Sequence, residues 1–245
     1  MNDSINKTNN EDSLYSDYEE WKGWTEDKTL PEVPPPTTHD YFSREFKRAK
    51  IPSRSKILEI GFGNGEFLQW AKLNGYDVSG VEISERLYRL ADKRGFRVFL
   101  GTLLENDLEE LGFEYDGVVL FDIVEHLPKE MLKGYFEAIN RRLKVGGRVI
   151  VRFPNGASPF STLAQYGDIT HQTVLTGGLL DQVTRQVGFS MEGCYNTIRI
   201  HGKRIRIKKL LKYFLRDLLE RALTHLYLGR HVPWDASLTC VLVKK

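Results

Sequence analysis

The sequence predicts an α/β domain, a doubly wound sheet of parallel strands with helices on both faces. Three observations lead there. From Thr38 onward short β-rich runs alternate with helical periods. The first of these runs passes straight into a glycine loop and then a helix. The 245 residues are 41% apolar and 28% charged, with a net charge of +2, enough for one sizeable core and incompatible with a disordered, collagenous or disulfide-scaffold chain. Taken in order, an opening helix at residues 40–48 follows the stiff connector PEVPPPTT at 31–38. Strand SKILEIG (55–61), a helix at 65–73, strand DVSGVEI (77–83) and a helix at 84–94 with Ser84 as its N-cap come next. Strands FRVFLG (96–101) and YDGVVLFD (115–122) precede a helix at 128–143. In that helix Leu132, Tyr135, Phe136, Ile139 and Leu143 recur at three and four, and Gly146 and Gly147 end it. Strand GRVIVRFP (147–154) leads into a Gly- and Ser-bearing loop at 155–176, a length that usually serves a function. A helix at 178–187, a strand at 191–198, a basic helical region at 205–228 and a strand at 238–243 complete the chain.

Residues 1–37 read as an acidic, aromatic N-terminal extension and residues 38–245 as the main domain, with a helical insertion at about 203–230. Residues 1–14 are polar enough to be disordered. Tyr15, Tyr18, Trp21 and Trp24 are too dense for a free tail and are expected to dock on the body or line a substrate mouth. Residues 1–36 carry nine acids against three Lys, whereas 199–231 carry ten Lys and Arg against two acids. This asymmetry allows pairing within the fold, a basic surface for an anionic partner, or solubility alone. In KKLLKYFLRDLLERALTHL two apolar and two polar residues repeat every four, so the apolar stripe rotates about 40° per repeat. The segment is therefore expected either to break or to bury opposite faces at its two ends, as a cap over the carboxyl edge of the sheet. The cluster HGKRIRIKK at its start could face anionic headgroups, an acidic glycan or nucleic acid. Cys194 and Cys240 are expected as buried reduced thiols. With no signal peptide and no membrane span in the pattern, the expectation is a cytoplasmic protein.

The stretch ILEIGFGNGEF carries the chemistry. Glu59 precedes Gly61, Phe62, Gly63 and Gly65, and glycines there bring backbone against ligand and permit positive φ. Seventeen residues beyond Gly65 the second strand ends in Glu82, followed by Ile83, where an acid can accept ribose hydroxyls. A nicotinamide dinucleotide and S-adenosylmethionine both fit this frame. The dinucleotide needs a third glycine where Glu66 stands, and a carboxylate there would repel a pyrophosphate; Glu59 suits a ligand bearing an ammonium group.

With LEIGFGNG, GVEIS, FDIVEHL and LKVGGRVIVRFPN, the sequence resembles the class I S-adenosylmethionine-dependent methyltransferases across about residues 38–198. The resemblance implies a Rossmann-like seven-stranded sheet with an antiparallel last strand. It also implies that Glu59 and the backbone of 61–65 hold the methionyl end and Glu82 the ribose. Thr102 and Leu103 would flank the adenine, and Phe121 with Asp122 would lie under the sulfonium.

A hydroxyl acceptor needs a base. His126, just past a strand end, is one candidate, with a structural role as the alternative. Asp168 and His171, three apart in the loop after the fifth strand, are another, since a carboxylate orienting an imidazole can deprotonate an alcohol. The alternative there is an Asp capping a turn with a His packed on it. Asp122, Asp168 and His171 make only a partial ligand set, so no metal is expected. The run RFPNGASPF with YGDITH, and the YEEWKGW segment, are similar to bacterial methyltransferases of surface-polysaccharide (O-antigen type, lipopolysaccharide) sugars. This implies a saccharide acceptor, and the basic cluster adds the expectation that it is anionic and lipid-linked, with peripheral membrane contact through 203–216 at the inner face. Two other readings stay open. One is a non-catalytic cofactor-binding scaffold of a glycan-assembly complex; the other is a methyltransferase acting on RNA, protein or a small molecule. No NPPY-type motif supports a planar nitrogen acceptor, and no nucleic-acid partner is expected.

Overall fold

The computed structural model describes residues 18–24, 29–104, 111–198 and 207–245. Seven strands form one sheet: β1 (Lys56–Ile60), β2 (Asp77–Glu82), β3 (Arg97–Leu100), β4 (Tyr115–Phe121), β5 (Leu143–Pro154), β6 (Phe189–Asn196) and β7 (Ser237–Lys244). Their order is β3-β2-β1-β4-β5-β7-β6, and β7 runs antiparallel to both its neighbours. The doubly wound sheet and its antiparallel last strand stand as expected.

The strands are buried on both faces, and their side chains divide by alternation. Ile57, Val119, Ile150 and Val241 point to one side, while Leu58, Val118, Leu120, Val149, Val151 and Leu242 point to the other. On the first side lie α2 (Pro36–Arg48), α3 (Glu66–Leu73) and α4 (Glu85–Lys93), which contribute a cluster of Phe42, Phe46, Phe67 and Trp70. Phe136 and Ile139 of α5 (Leu132–Arg142) and Leu180 of α7 (Gly177–Arg185) cover the second side. Burying one Phe of this kind stabilises the fold by about 1.5–3 kcal/mol.

Several elements differ from expectation. The opening helix begins at Pro36, because proline tolerates the first helical position, where no N–H partner is required. The helix expected at 128–143 opens as a 3₁₀ turn, Lys129–Met131, and α5 starts only at Leu132. The loop after β5 carries a short helix, α6 (Thr162–Tyr166). Cys194 and Cys240 are not separate thiols. The antiparallel register sets them directly opposite, with Cα atoms 4.2 Å apart, and they are joined as a disulfide. A separation of 46 residues hid this pairing, and the compartment reasoning built on free cysteines loses that support.

The basic region forms one continuous helix, α8 (Ile207–Leu228), that neither breaks nor buries opposite faces at its ends. Glu220 and Thr224 are its buried residues, whereas Leu211, Phe214, Leu215 and Leu218 are each about half exposed or more. A polar anchor explains this. The Glu220 carboxylate accepts from Asn196 Nδ2 at 2.8 and 2.9 Å and from the Trp234 N–H at 3.2 Å, and lies 2.7 Å from His231 Nε2. Arg216 pairs with Asp235. The helix is thus fastened beside the carboxyl ends of β5 and β6 and projects its leucines outward. The disorder expected at 1–14, the position of Tyr15, and residues 203–206 of the expected membrane contact lie outside the described residues.

Candidate active site

Strand β1 delivers Glu59 to the start of the loop. Gly61, Gly63 and Gly65 have φ of +68°, +51° and +72°, the left-handed region that glycine enters without strain. Close packing also forbids side chains there. A Cβ on Gly61 would stand 2.1 Å from Ile123 Cδ1, and one on Gly65 would stand 2.2 Å from Leu30 Cδ2. The loop ends at α3, which has no side-chain cap of its own; the Leu68 N–H of its first turn is bonded by Glu59 instead. Glu59 Oε2 is buried and has no hydrogen-bond partner. Burial, with the charge of Glu82 adding to it, pushes the Glu59 carboxyl well above its ordinary range.

At the end of β2 the Glu82 carboxylate accepts from the N–H groups of Gly63 (2.8 Å), Ile83 (2.9 Å) and Ser84 (3.0 Å). Burial raises its pKa against the lowering effect of these bonds. A carboxylate has about four acceptor positions, so one remains, enough for a single hydroxyl. Ile83 is exposed, Thr102 is half-buried and Leu103 is buried past the end of β3. Phe62 offers the loop its backbone alone, because its ring packs into the core over Gly80. Asp122, at φ +58°, has its carboxylate bound to the Arg152 guanidinium, which also donates to Tyr41 Oη at 3.1 Å and lies over the Phe121 ring. The Asp122 carboxylate is committed to that pair and does not stand free at the site.

These residues fit S-adenosylmethionine on the structure's own terms. An orphaned buried carboxylate oxygen matches an ammonium group, a glycine cradle admits no side chain, and a strand-end acid keeps one acceptor position. Over them lies α1 (Tyr18–Trp21) with the residues that follow. Glu19 bonds Ser84 and Arg86, and Arg86 Nη2 donates to the Trp24 carbonyl at 2.8 Å. Lys22 Nζ lies 3.3 Å from Asp168 Oδ2, and Tyr18 meets the His126 ring edge-on at 6.0 Å. The described part of the extension therefore docks on the body as a strap between the two halves of the site.

The loop after β5 is held to the turn after β4 by the Gln172 and Thr173 N–H groups, which donate to the Glu125 carbonyl at 2.8 and 3.0 Å. This fastening sets His171 beside His126, ring centroids 4.8 Å apart. Asp168 does not fix the tautomer of His171, because its Oδ2 stands 3.8 Å from Nε2, beyond hydrogen-bond range. The Gln165 carbonyl, 2.9 Å from Nδ1, does so. Asp168 Oδ1 instead accepts from Thr170 Oγ1 at 2.5 Å and from the Thr170 N–H at 3.0 Å. Burial opposes ionisation of Asp168, but these bonds and Lys22 outweigh it and lower the pKa. Burial, with His171 nearby, lowers His126 to about 4, so its imidazole is neutral. Sequence reasoning missed Glu125, 0% exposed with neither carboxylate oxygen partnered, because an acid inside VEH reads as a solvated turn residue.

The family model described as "Methyltransferase domain" matches residues 36–192. Among curated proteins, the chain is 31% identical to a thiopurine S-methyltransferase of Aliivibrio salmonicida over 137 residues, 47% of this chain and 62% of that protein. It is 30% identical to tuberculostearic acid methyltransferase UfaA1 of Mycobacterium tuberculosis over 107 residues, 42% of this chain and 25% of that protein. The match thus spans less than two thirds of either relative. Among solved structures, a SAM-dependent methyltransferase from Archaeoglobus fulgidus shares the fold with TM-score 0.59 at 20% identity, covering 84% of this chain and 94% of that one. Magnesium protoporphyrin IX methyltransferase of Synechocystis PCC 6803, solved with bound SAM, shares it with TM-score 0.52 at 15% identity, covering 85% and 78%. A model that accounts for most of the chain, together with a glycine cradle flanked by two buried acids on this strand order, places the protein: it belongs to the methyltransferase-domain family and has the fold of S-adenosylmethionine-dependent methyltransferases.

Proposed function

We propose that the chain is an S-adenosylmethionine-dependent O-methyltransferase acting on a sugar hydroxyl of a bacterial cell-surface polysaccharide. The observation that carries the reading is the juxtaposition at one sheet edge of Glu59, with its orphaned buried oxygen, and a second cluster of imidazoles and carboxylates reached through the same strap. When bound, the cofactor supplies an electrophilic methyl group on a sulfonium. Glu59 and the 61–65 backbone hold its methionyl end, and Glu82 takes one ribose hydroxyl. The strap formed by Tyr18, Trp21 and Trp24 keeps water from the site. A neutral hydroxyl must lose its proton during transfer, and the groups able to receive it are in the Glu125, His126 and His171 cluster, beside which Asp168 lies.

The saccharide part rests on the exposed aromatics and cations around the mouth. Tyr166 and Phe160 of the loop after β5 are 74% and 67% exposed, and aromatic faces of this kind stack on sugar rings. α8 supports a lipid-linked acceptor at the cytosolic face of the membrane. It carries exposed leucines beside Lys208, Lys209 and Lys212, the composition of a helix lying in an anionic interface, although no helix among the described residues is long and apolar enough to cross a membrane. The test uses surface glycan from a strain lacking the gene as acceptor with methyl-labelled S-adenosylmethionine. Label in one sugar residue, with a mass gain of one CH₂, is the expected result. Label that enters only a lipid, a small molecule or RNA would reassign the acceptor.

A further inference from the structure

We propose that Arg44, Arg48, Arg221 and His231 bind a diphosphate group, and that this group belongs to the methyl acceptor. A groove of about 460 Å³ opens where α2, the end of β6 and α8 meet, and these four residues line it. Two carboxylates share the groove, Asp217 and Glu220. The Glu220 oxygens are already occupied by Asn196, the Trp234 N–H and His231. The guanidiniums are less committed. Arg48 uses only Nη1, which lies 3.3 Å from Glu45 Oε2 and 3.4 Å from the Asn196 carbonyl. Its other N–H groups, and the whole guanidiniums of Arg44 and Arg221, have no acceptor among the described residues. A guanidinium carries five N–H donors in a planar fork, so the groove holds many directed donors around an open space.

Spacing selects the ligand. Arg44 and Arg48 stand about 6 Å apart along the axis of α2, on one face of that helix, and Arg221 lines the same groove from α8. Each guanidinium matches phosphate oxygens through two parallel N–H bonds. A single carboxylate or phosphate fills one such fork, whereas three forks spread over a helical turn call for two linked anionic centres. The groove also adjoins the transfer site. Tyr41 shares the α2 face with Arg44 and Arg48, and its Oη accepts from Arg152, which holds Asp122. Arg44 and Arg48 follow Tyr41 by about 4.5 and 10.5 Å along the axis. On the opposite side, Asn155 Nδ2 and Ser158 Oγ donate to the Pro233 and Trp234 carbonyls at 2.9 and 2.6 Å, which ties the segment after His231 to the loop after β5. A sugar at the transfer site would thus extend its diphosphate into the groove, a step that rests on the proposed saccharide acceptor. From Arg221 the residues Leu218, Phe214 and Leu210 continue along α8 at spacings of three and four, 53%, 63% and 45% exposed. That stripe is a track for a hydrocarbon chain carried by the diphosphate.

Full-length protein is titrated by calorimetry with inorganic pyrophosphate, and separately with orthophosphate. One equivalent of pyrophosphate is expected to bind, at least about tenfold more tightly than orthophosphate. Arg44→Gln and Arg221→Gln should each weaken it by about tenfold or more. Lys47→Gln, exposed on α2 outside the groove, should leave it unchanged. Arg44 and Arg221 are exposed, and retained S-adenosylmethionine binding shows that their variants are folded. Absence of binding at millimolar pyrophosphate, equal affinity for the two anions, or equal weakening by Lys47→Gln overturns the site. Uridine diphosphate and farnesyl diphosphate separate the two sources of the group. Tighter binding of farnesyl diphosphate is expected from the α8 stripe; tighter binding of uridine diphosphate leaves the site standing and overturns the hydrocarbon track. Pyrophosphate binding lost in the two arginine variants while the KM for a methylated glycan stays the same overturns the groove as an acceptor subsite, with the methyltransferase reading intact. Arginine-dependent pyrophosphate binding without methyl transfer to any glycan leaves the groove standing and overturns the acceptor assignment.

Discussion

The indole of Trp24 lies on the backbone of Gly63, so close that a Cβ built on the glycine would stand 2.8 Å from ring carbon Cη2. The N-terminal extension and the cofactor loop are therefore one packed unit. Gly63→Ala meets both this ring and a φ of +51°. It should weaken S-adenosylmethionine binding by at least about 1–2 kcal/mol in calorimetry, the cost of a left-handed non-glycine residue. Ligand binding should also change tryptophan fluorescence, and Trp24→Phe should remove most of that change.

Glu82 holds Gly63, Ile83 and Ser84 through their N–H groups while keeping one acceptor position for the ligand. Glu82→Ala removes both functions. Cofactor affinity should fall by about 1–3 kcal/mol, measured by calorimetry; an unchanged affinity would remove Glu82 from the ribose position.

For Glu59, stability and binding should move in opposite directions. Its folded pKa is raised by burial and by Glu82, so the folded state takes up a proton more readily than the unfolded state. The cost of charging it is full above the folded pKa, shrinks as pH falls below that value, and is gone below the unfolded pKa. Glu59→Gln should stabilise the ligand-free protein by roughly 1–3 kcal/mol at about pH 8, with a smaller gain at about pH 5, while weakening cofactor binding. Thermal melts at the two pH values, with and without ligand, read both effects.

His171 lies beyond the cofactor cradle, so its loss should spare cofactor binding. His171→Ala is expected to lower turnover by about two to four powers of ten with cofactor affinity nearly unchanged. Asp168→Asn, whose Oδ1 hydrogen bonds to Thr170 can persist, should act in the same direction and less strongly. Wild-type turnover in the His171 variant at saturating acceptor would reduce the loop to a substrate clamp.

The outward face of α8 makes few contacts that a charge could disturb. Leu211 and Phe214 are 55% and 63% exposed. The pair Leu211→Asp and Phe214→Asp should leave thermal stability within about 0.5 kcal/mol. Vesicles containing anionic lipid should bind this variant at least about tenfold more weakly, since each lost apolar contact is worth roughly 1.5 kcal/mol or more. Equal binding by variant and parent in a flotation assay would remove α8 from the membrane.

By itself the sequence determined the strand and helix alternation, the glycine loop with Glu59 before it, the strand-end Glu82, and the general location of a polar loop after β5. These are local facts: period-two burial, φ at glycines and the offset from loop to acid are written within a few residues of one another. Tertiary structure decided what depends on residues far apart. Cys194 meets Cys240 because β6 and β7 pair antiparallel, and Asp122 is claimed by Arg152 from the neighbouring strand. Glu125 becomes a buried, unpartnered acid only when Gln172 and Thr173 fasten a distant loop over it. The same folding turned the expected Asp168 and His171 dyad into a set in which Gln165 orients one ring and Thr170 the other. The leucines of α8 carry an amphipathic pattern that the sequence displays, but Glu220 and its partners decided which side faces outward. A hydrogen-bond partner is chosen by distance in space, and sequence spacing carries that distance only within a single helix, strand or turn.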